Sequence, residues 1–198
     1  MNDSTNPSAL RSKAEICEAL LRLMKDHPYE EITVKQIALE SKLVRKTFYR
    51  NFDSKDDVLE AILDILVDEY KRHLIMFNQV MPIEIIFNFC IEHKEQLLLF
   101  DKNNLMYRIL QKLNSALPEK HEELVKLGLV PKELFGGLDP SYLIPMNIGG
   151  IWNVICRWVR GGMKDDPKQI TKDLTEFIIM LGEYAKKMVS PYHAAAQD

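Results

Sequence analysis

Four positive side chains, Lys42, Arg45, Lys46 and Arg50, fall within nine consecutive residues that hold no acid. Cations at that density neutralise phosphates and release their counterions. Arginine and lysine also donate to O6 and N7 of guanine, and a threonine methyl such as that of Thr47 meets the C5-methyl of thymine. Tyr49 in the same run, and Lys55 just beyond it, suit phosphate contacts. Lys55 stands at an expected helix start, where backbone N–H groups favour an anion, and Thr33 marks another such start. Phe48 and Phe52, four residues apart, share one helical face with Leu43 behind them, so one face docks while the other reads. The chemistry these residues suggest is the binding of double-stranded DNA.

The whole chain carries a net charge of −3, which does not by itself point to nucleic acid. The distribution does. Between Ser8 and Phe52 nine basic side chains stand against six acidic ones, and the rest of the chain is acidic. A small basic patch on an acidic body turns toward phosphate and keeps the body away from it. The sequence holds no HExxH, no phosphate-binding glycine loop ending in Lys-Ser/Thr and no Cys/His cluster at metal-ligand spacing, so no enzyme, cofactor or metal is expected. Cys17, Cys90 and Cys156 are odd in number and far apart. They read as buried small apolar side chains in a reducing compartment. The longest apolar stretch, Leu143 to Ile155, is broken by Asn147, Gly149, Gly150 and Asn153 and is too short to span a bilayer. Met1 to Pro7 lacks the pattern of a signal peptide. A cytoplasmic protein with no membrane partner is expected, and 198 residues, 46% of them apolar, suffice for a real core.

Helical spacing dominates and strand signals are weak, so the expected fold class is all-α. A first helix is expected from Ser12, where Ser12 and Glu15 have capping-box spacing, with Ile16, Ala19, Leu20, Leu23 and Met24 inward and Pro28 as its stop. Thr33 and Gln36 form a second capping box, opening a helix from Val34 to Glu40. A short connection, Ser41 to Leu43, leads to a third helix, Val44 to Asn51, the length that joins the two helices of a helix-turn-helix. Ser54 caps a long fourth helix, with Val58, Leu59, Ile62, Ile65, Leu66 and Tyr70 on its buried side. Further helices are expected from Pro82 to Phe100, from Asn104 to Leu117 and from Pro118 to Lys126. A loop over Gly128–Gly137 precedes two long helices. One opens at Asp139-Pro140 and ends at Gly161-Gly162; the other runs from Asp166-Pro167 to about Val189, with a frayed tail behind it.

The segment Ile32 to Leu59 resembles the DNA-binding domain of the TetR family. The matching features are Thr33-Val-x-x-Ile-Ala, Thr47-Phe-Tyr-x-x-Phe and Ser54-Lys-Asp-x-x-Leu, in register. The resemblance implies that residues 8–70 form a three-helix helix-turn-helix domain, joined by a long helix to a helical dimerisation and effector domain over residues 71–190. It assigns phosphate contacts to Tyr49 and Lys55. The sequence departs from the family in three places. Lys42 replaces the usual glycine of the turn, Val44 replaces the usual Ser or Thr cap, and Asn51 replaces a histidine while keeping the ability to bond phosphate.

The C-terminal half resembles a Firmicutes-type subgroup of that family. The resemblance implies that the last two long helices pair with their copies in a homodimer. Gly149 and Gly150 would allow close approach, and Trp158, Ile170, Leu174, Phe177, Ile178 and Leu181 would lie in the interface. A small-molecule effector pocket among the middle helices is also implied, with Phe87, Tyr107 and Trp152 as candidates. The expected function is that of a ligand-responsive repressor that binds a palindromic operator as a dimer. The alternative is an activator whose C-terminal domain binds a protein coactivator.

Overall fold

A computed structural model describes residues 7–76, 82–128 and 139–194, with side chains to Tyr184 in the last span. Among the described residues every regular element is helical, as the spacing predicts. α1 (Pro7–Asp26) leads through a 3-10 turn (Tyr29–Glu31) to α2 (Val34–Glu40) and α3 (Arg45–Asn51). α4 (Lys55–Met76) carries the chain into the body, made of α5 (Pro82–Glu92), α6 (Lys94–Lys102), α7 (Met106–Lys126), α8 (Pro140–Arg160) and α9 (Pro167–Ala194).

α1 packs on α2, α3 and α4, so the first four helices form a head. α4 also packs on α5 and α7, α7 on α8, α6 on α8 and α5 on α9. One connected apolar core therefore runs from Ile16, Leu20 and Phe48 in the head, along Leu59, Leu63 and Leu66 of α4, to Phe100, Ile155 and Trp158 in the body. Cys17 and Cys90 are buried and Cys156 is half-buried. Burial pushes the Cys17 thiol up to about 11 and the Cys90 thiol up to about 12, so both remain protonated and unreactive at neutral pH.

Six expected details are corrected. α1 begins at Pro7, five residues before Ser12, because proline is pre-organised for the first position of a helix. Ser12 lies inside the helix and donates to the Ser8 carbonyl at 2.9 Å instead of capping. Ile65 is 60% exposed, while Leu63 and Val67 are buried in its place; the stripe 58/59, 62/63, 66/67, 70 keeps strict helical spacing and leaves Ile65 outside. The helix expected over Pro82–Phe100 bends at His93, whose ring lies 4.2 Å from that of Phe89 and whose Nε2 reaches Glu69 of α4 at 3.8 Å. Pro118 does not break α7, because buried Leu113 and Leu124 hold the helix to the body on both sides of it. α9 continues past Val189 to Ala194. The expected loop beyond Gly128 and the tail beyond Ala194 lie outside the described residues.

Candidate nucleic-acid interface

The turn between α2 and α3 is built by local rules. Thr33 caps α2: its Oγ1 accepts from the Gln36 N–H at 3.3 Å, while Gln36 Oε1 accepts from the Thr33 N–H at 2.9 Å. This is the capping box expected from sequence. At the other end of α2, Lys42 takes φ 57°, the left-handed region where glycine is favoured, and the Leu43 N–H closes onto the Ala38 carbonyl at 3.0 Å. Buried Ser41 donates to the same carbonyl at 3.1 Å. A lysine bears some strain there, and in exchange it adds an exposed charge beside the recognition helix. Arg22 of α1 pairs with Glu40 at 2.6 Å, fixing the end of α2 and removing that acid from the basic face.

α3 presents the two faces its sequence predicts. Phe48 is fully buried and Phe52 nearly so, their rings 6.2 Å apart, and half-buried Leu43 packs against the same core. Lys42, Arg45, Lys46, Tyr49 and Arg50 are exposed, while Thr47 and Asn51 are half-buried. Among the described residues none of the four cations makes an ion pair. Their charge is not neutralised by any described residue and is available to phosphate and base edges. Tyr49 stands edge-on to Phe48, ring centroids 5.4 Å apart, which aims a rigid hydroxyl outward. Asn51 donates to the Thr47 carbonyl at 2.7 Å, so its amide is engaged within its own helix.

Lys55 departs from expectation. Its ammonium donates to the carbonyls of Tyr29 and Glu30, both at 2.8 Å, and lies 4.6 Å from the centre of the Tyr29 ring. The lysine anchors the 3-10 turn to the start of α4 instead of pointing freely at solvent. The Tyr29 hydroxyl donates to Asp56 Oδ1 at 2.8 Å. Burial and then that carboxylate push the Tyr29 phenol far above its ordinary range, so it stays a donor.

Among the polar links between head and body are two that sequence reading missed and that bear on the helix-turn-helix. Asn103, between α6 and α7, accepts from the Tyr29 N–H at 2.7 Å and donates to the Met24 and Leu99 carbonyls. Arg108 and Lys112 of α7 reach Glu60 of α4 at 2.8 and 2.9 Å. Burial alone would raise the Glu60 carboxyl, but its bonds to Lys112 and Arg108 outweigh that and hold it below the usual range. Apart from Leu99, these partners are 48 to 79 residues apart, and no local pattern marks them.

A basic helix with its apolar back locked against the helices of the head, reached through a tight turn, has the architecture of a helix-turn-helix. Residues 16–62 match the model of a family described as bacterial regulatory proteins, tetR family. The match lies within the head and takes in α2, α3 and the start of α4, so the likeness to that family is one of the helix-turn-helix region. Over 53 residues the chain is 34% identical to an uncharacterized HTH-type transcriptional regulator, YxbF, of Bacillus subtilis (strain 168); the match spans 27% of this chain and 14% of that protein. Among solved structures, the fatty acid degradation regulator FadR from Bacillus halodurans shares the fold, with a TM-score of 0.53 at 21% identity over 83% of this chain and 92% of that one.

The remaining expected site residues divide. Phe177, Ile178 and Leu181 of α9 are at least half exposed, and so are Tyr142 and Met146 of α8. Gly150 is exposed and Gly149 half-buried, with open space where a Cβ would stand on either. Ile170 and Leu174 are half-buried against the chain's own core. Trp158 is corrected: it is 3% exposed, donates to the Asp165 carbonyl at 3.0 Å and packs 5.3 Å from Phe87, so it belongs to the internal core. Among the described residues Phe87, Tyr107 and Trp152 are found in separate surroundings. Tyr107 is 53% exposed, Phe87 borders a groove between α5 and α9, and Trp152 lines an apolar cavity of about 20 Å³ among α4 to α8. No helix among the described residues is long and apolar enough to cross a membrane.

Proposed function

We propose that the protein is a homodimeric repressor that binds a palindromic operator in the bacterial cytoplasm and releases it on binding a small apolar effector. The observation that carries the DNA half is the exposed, unpaired set Lys42, Arg45, Lys46 and Arg50 on a helix whose opposite face is fixed by Phe48. Arg45 and Lys46 begin that helix, at the end that enters the major groove, and supply base discrimination. Thr47 lets the helix sit close. Lys42, Tyr49 and Arg50 supply phosphate affinity, with Thr33 and Asn51 at the margin of the contact.

The dimer half rests on the exposed apolar side chains Phe177, Ile178 and Leu181 along α9. Joined to their copies, with Gly149 and Gly150 beside them, they would set two recognition helices about 34–36 Å apart, or a near multiple. The effector half rests on Trp152. Its Nε1 is buried and finds no acceptor among the described residues, in a cavity whose other walls are apolar. A ligand with an apolar body and one acceptor would satisfy that donor on prising the helices apart. A protein coactivator has no comparable observation behind it.

The test is selection of bound duplexes from a random pool, followed by titration of Arg45→Ala and Lys46→Ala against the selected operator and a scrambled duplex at two salt concentrations. A bidentate guanine contact is worth about 1–3 kcal/mol, so each variant should lose about ten- to a hundredfold on the operator and little on the scrambled duplex. Parallel losses on both duplexes would leave only a positively charged helix.

A further inference from the structure

We infer that Val44 is a specificity residue that reads the C5-methyl group of a thymine through apolar contact in the major groove. The inference rests on the DNA-binding reading above. Val44 occupies the N-cap of α3 and makes no side-chain cap hydrogen bond. A serine, threonine, aspartate or asparagine there would accept from an N–H of the first turn and stabilise the helix. Val44 forgoes this, and only its backbone carbonyl takes part, accepting from the Thr47 N–H at 2.8 Å.

The side chain is not used inward either. Leu43, half-buried against the core, is the apolar anchor of the connection, whereas Val44 is 69% exposed. A branched alkyl group thus stands in water at the start of the recognition helix, directly before the exposed cations Arg45 and Lys46. That end of the helix enters the major groove. Thymine is the base that offers an apolar group there. Contact between the two removes both methyl surfaces from water, which gives the exposed valine a role that neither capping nor packing supplies. Burying one methyl-sized group corresponds to about fourfold in affinity per half-site.

The test uses the full chain and the selected operator, with each thymine replaced in turn by deoxyuridine so that only the C5-methyl is lost. Wild type should weaken about fourfold per half-site at one symmetric thymine position. Val44→Ser, which restores a capping oxygen, should lose that sensitivity, melt no lower than wild type and keep its affinity for scrambled DNA. Three results would overturn the inference while leaving the DNA-binding reading standing. They are indifference of wild type to every deoxyuridine, retained sensitivity in Val44→Ser, and parallel loss by Val44→Ser on operator and scrambled duplexes. Failure of wild type to select any duplex would overturn both.

Discussion

The side-chain carbonyl of Asn103 accepts the backbone N–H of Tyr29 at 2.7 Å, tying the loop that opens α7 to the turn that leads into the helix-turn-helix. The same amide donates to Met24 at the end of α1 and to Leu99 of α6, so one side chain clamps three segments. Asn103→Leu should leave the Tyr29 N–H without its acceptor, at about 1–3 kcal/mol. For a chain of this size that lowers the melting temperature by roughly 2–4 °C per kcal/mol. Calorimetry on Asn103→Leu and Asn103→Asp should show a smaller loss for the aspartate, which keeps an acceptor. Equal losses would mean that this bond is not the one that matters.

Lys55 gives a second expectation, opposite to the one its sequence position suggests. A lysine that touched phosphate would, on removal, lower the salt slope of DNA binding by about one ion-equivalent. Here the ammonium is held by the Tyr29 and Glu30 carbonyls. Lys55→Ala should therefore melt several degrees lower while its salt slope stays that of wild type. Arg50→Ala, whose side chain is exposed, should show the reverse: unchanged melting and a slope reduced by about one. An unchanged melting curve for Lys55→Ala together with a reduced slope would return Lys55 to the phosphate set.

The helix-turn-helix was legible because its determinants are local. The Thr33–Gln36 box, the 41–43 connection and the Phe48/Phe52 spacing each act within a few residues, and each is found where the sequence puts it. The body was less legible because its determinants are not local. Pro118 reads as a break, yet packing on both sides of it keeps α7 whole. The resemblance puts Trp158 in an interface between copies, yet Phe87, some seventy residues earlier in the same chain, receives it. Lys55 shows the same limit inside the motif. Its place at a helix start is visible in the sequence, but the two carbonyls that capture it come from a turn 25 and 26 residues away.

The link between α4 and α7 makes stability depend on acid. Glu60 receives Arg108 and Lys112, and its carboxyl titrates below the usual range. A depressed folded pKa means that the unfolded chain binds the proton first. The stabilisation is present above the ordinary value of 4.5 and is lost as pH falls through the lower folded value. Glu60 is partly exposed, so solvent screens the effect. Denaturant midpoints measured from pH 6 down to 3 should fall more steeply for wild type than for Glu60→Gln, and 1 M salt should narrow the gap. Identical pH profiles would assign the acid sensitivity to other carboxylates.

The exposed face of α9 carries the remaining prediction. Phe177, Ile178 and Leu181 are each at least half exposed, whereas Trp158 is buried within the chain. Substitutions at the two kinds of site should fail differently. Phe177→Asp with Leu181→Asp places charge where apolar surface would meet its copy, and a buried unpaired charge is strongly disfavoured. That variant should sediment as a folded monomer at micromolar concentration with near-native helix content. It should also bind a single half-site about as wild type does, while losing most of its affinity for the full palindrome. Trp158→Ala removes a large core side chain, at about 3–5 kcal/mol, and should melt far lower whatever its assembly state. Sedimentation and circular dichroism on the two variants separate interface from core. If the double aspartate variant still sediments as a dimer, another surface holds the copies together, and if wild type is itself monomeric, the palindrome reading fails with it.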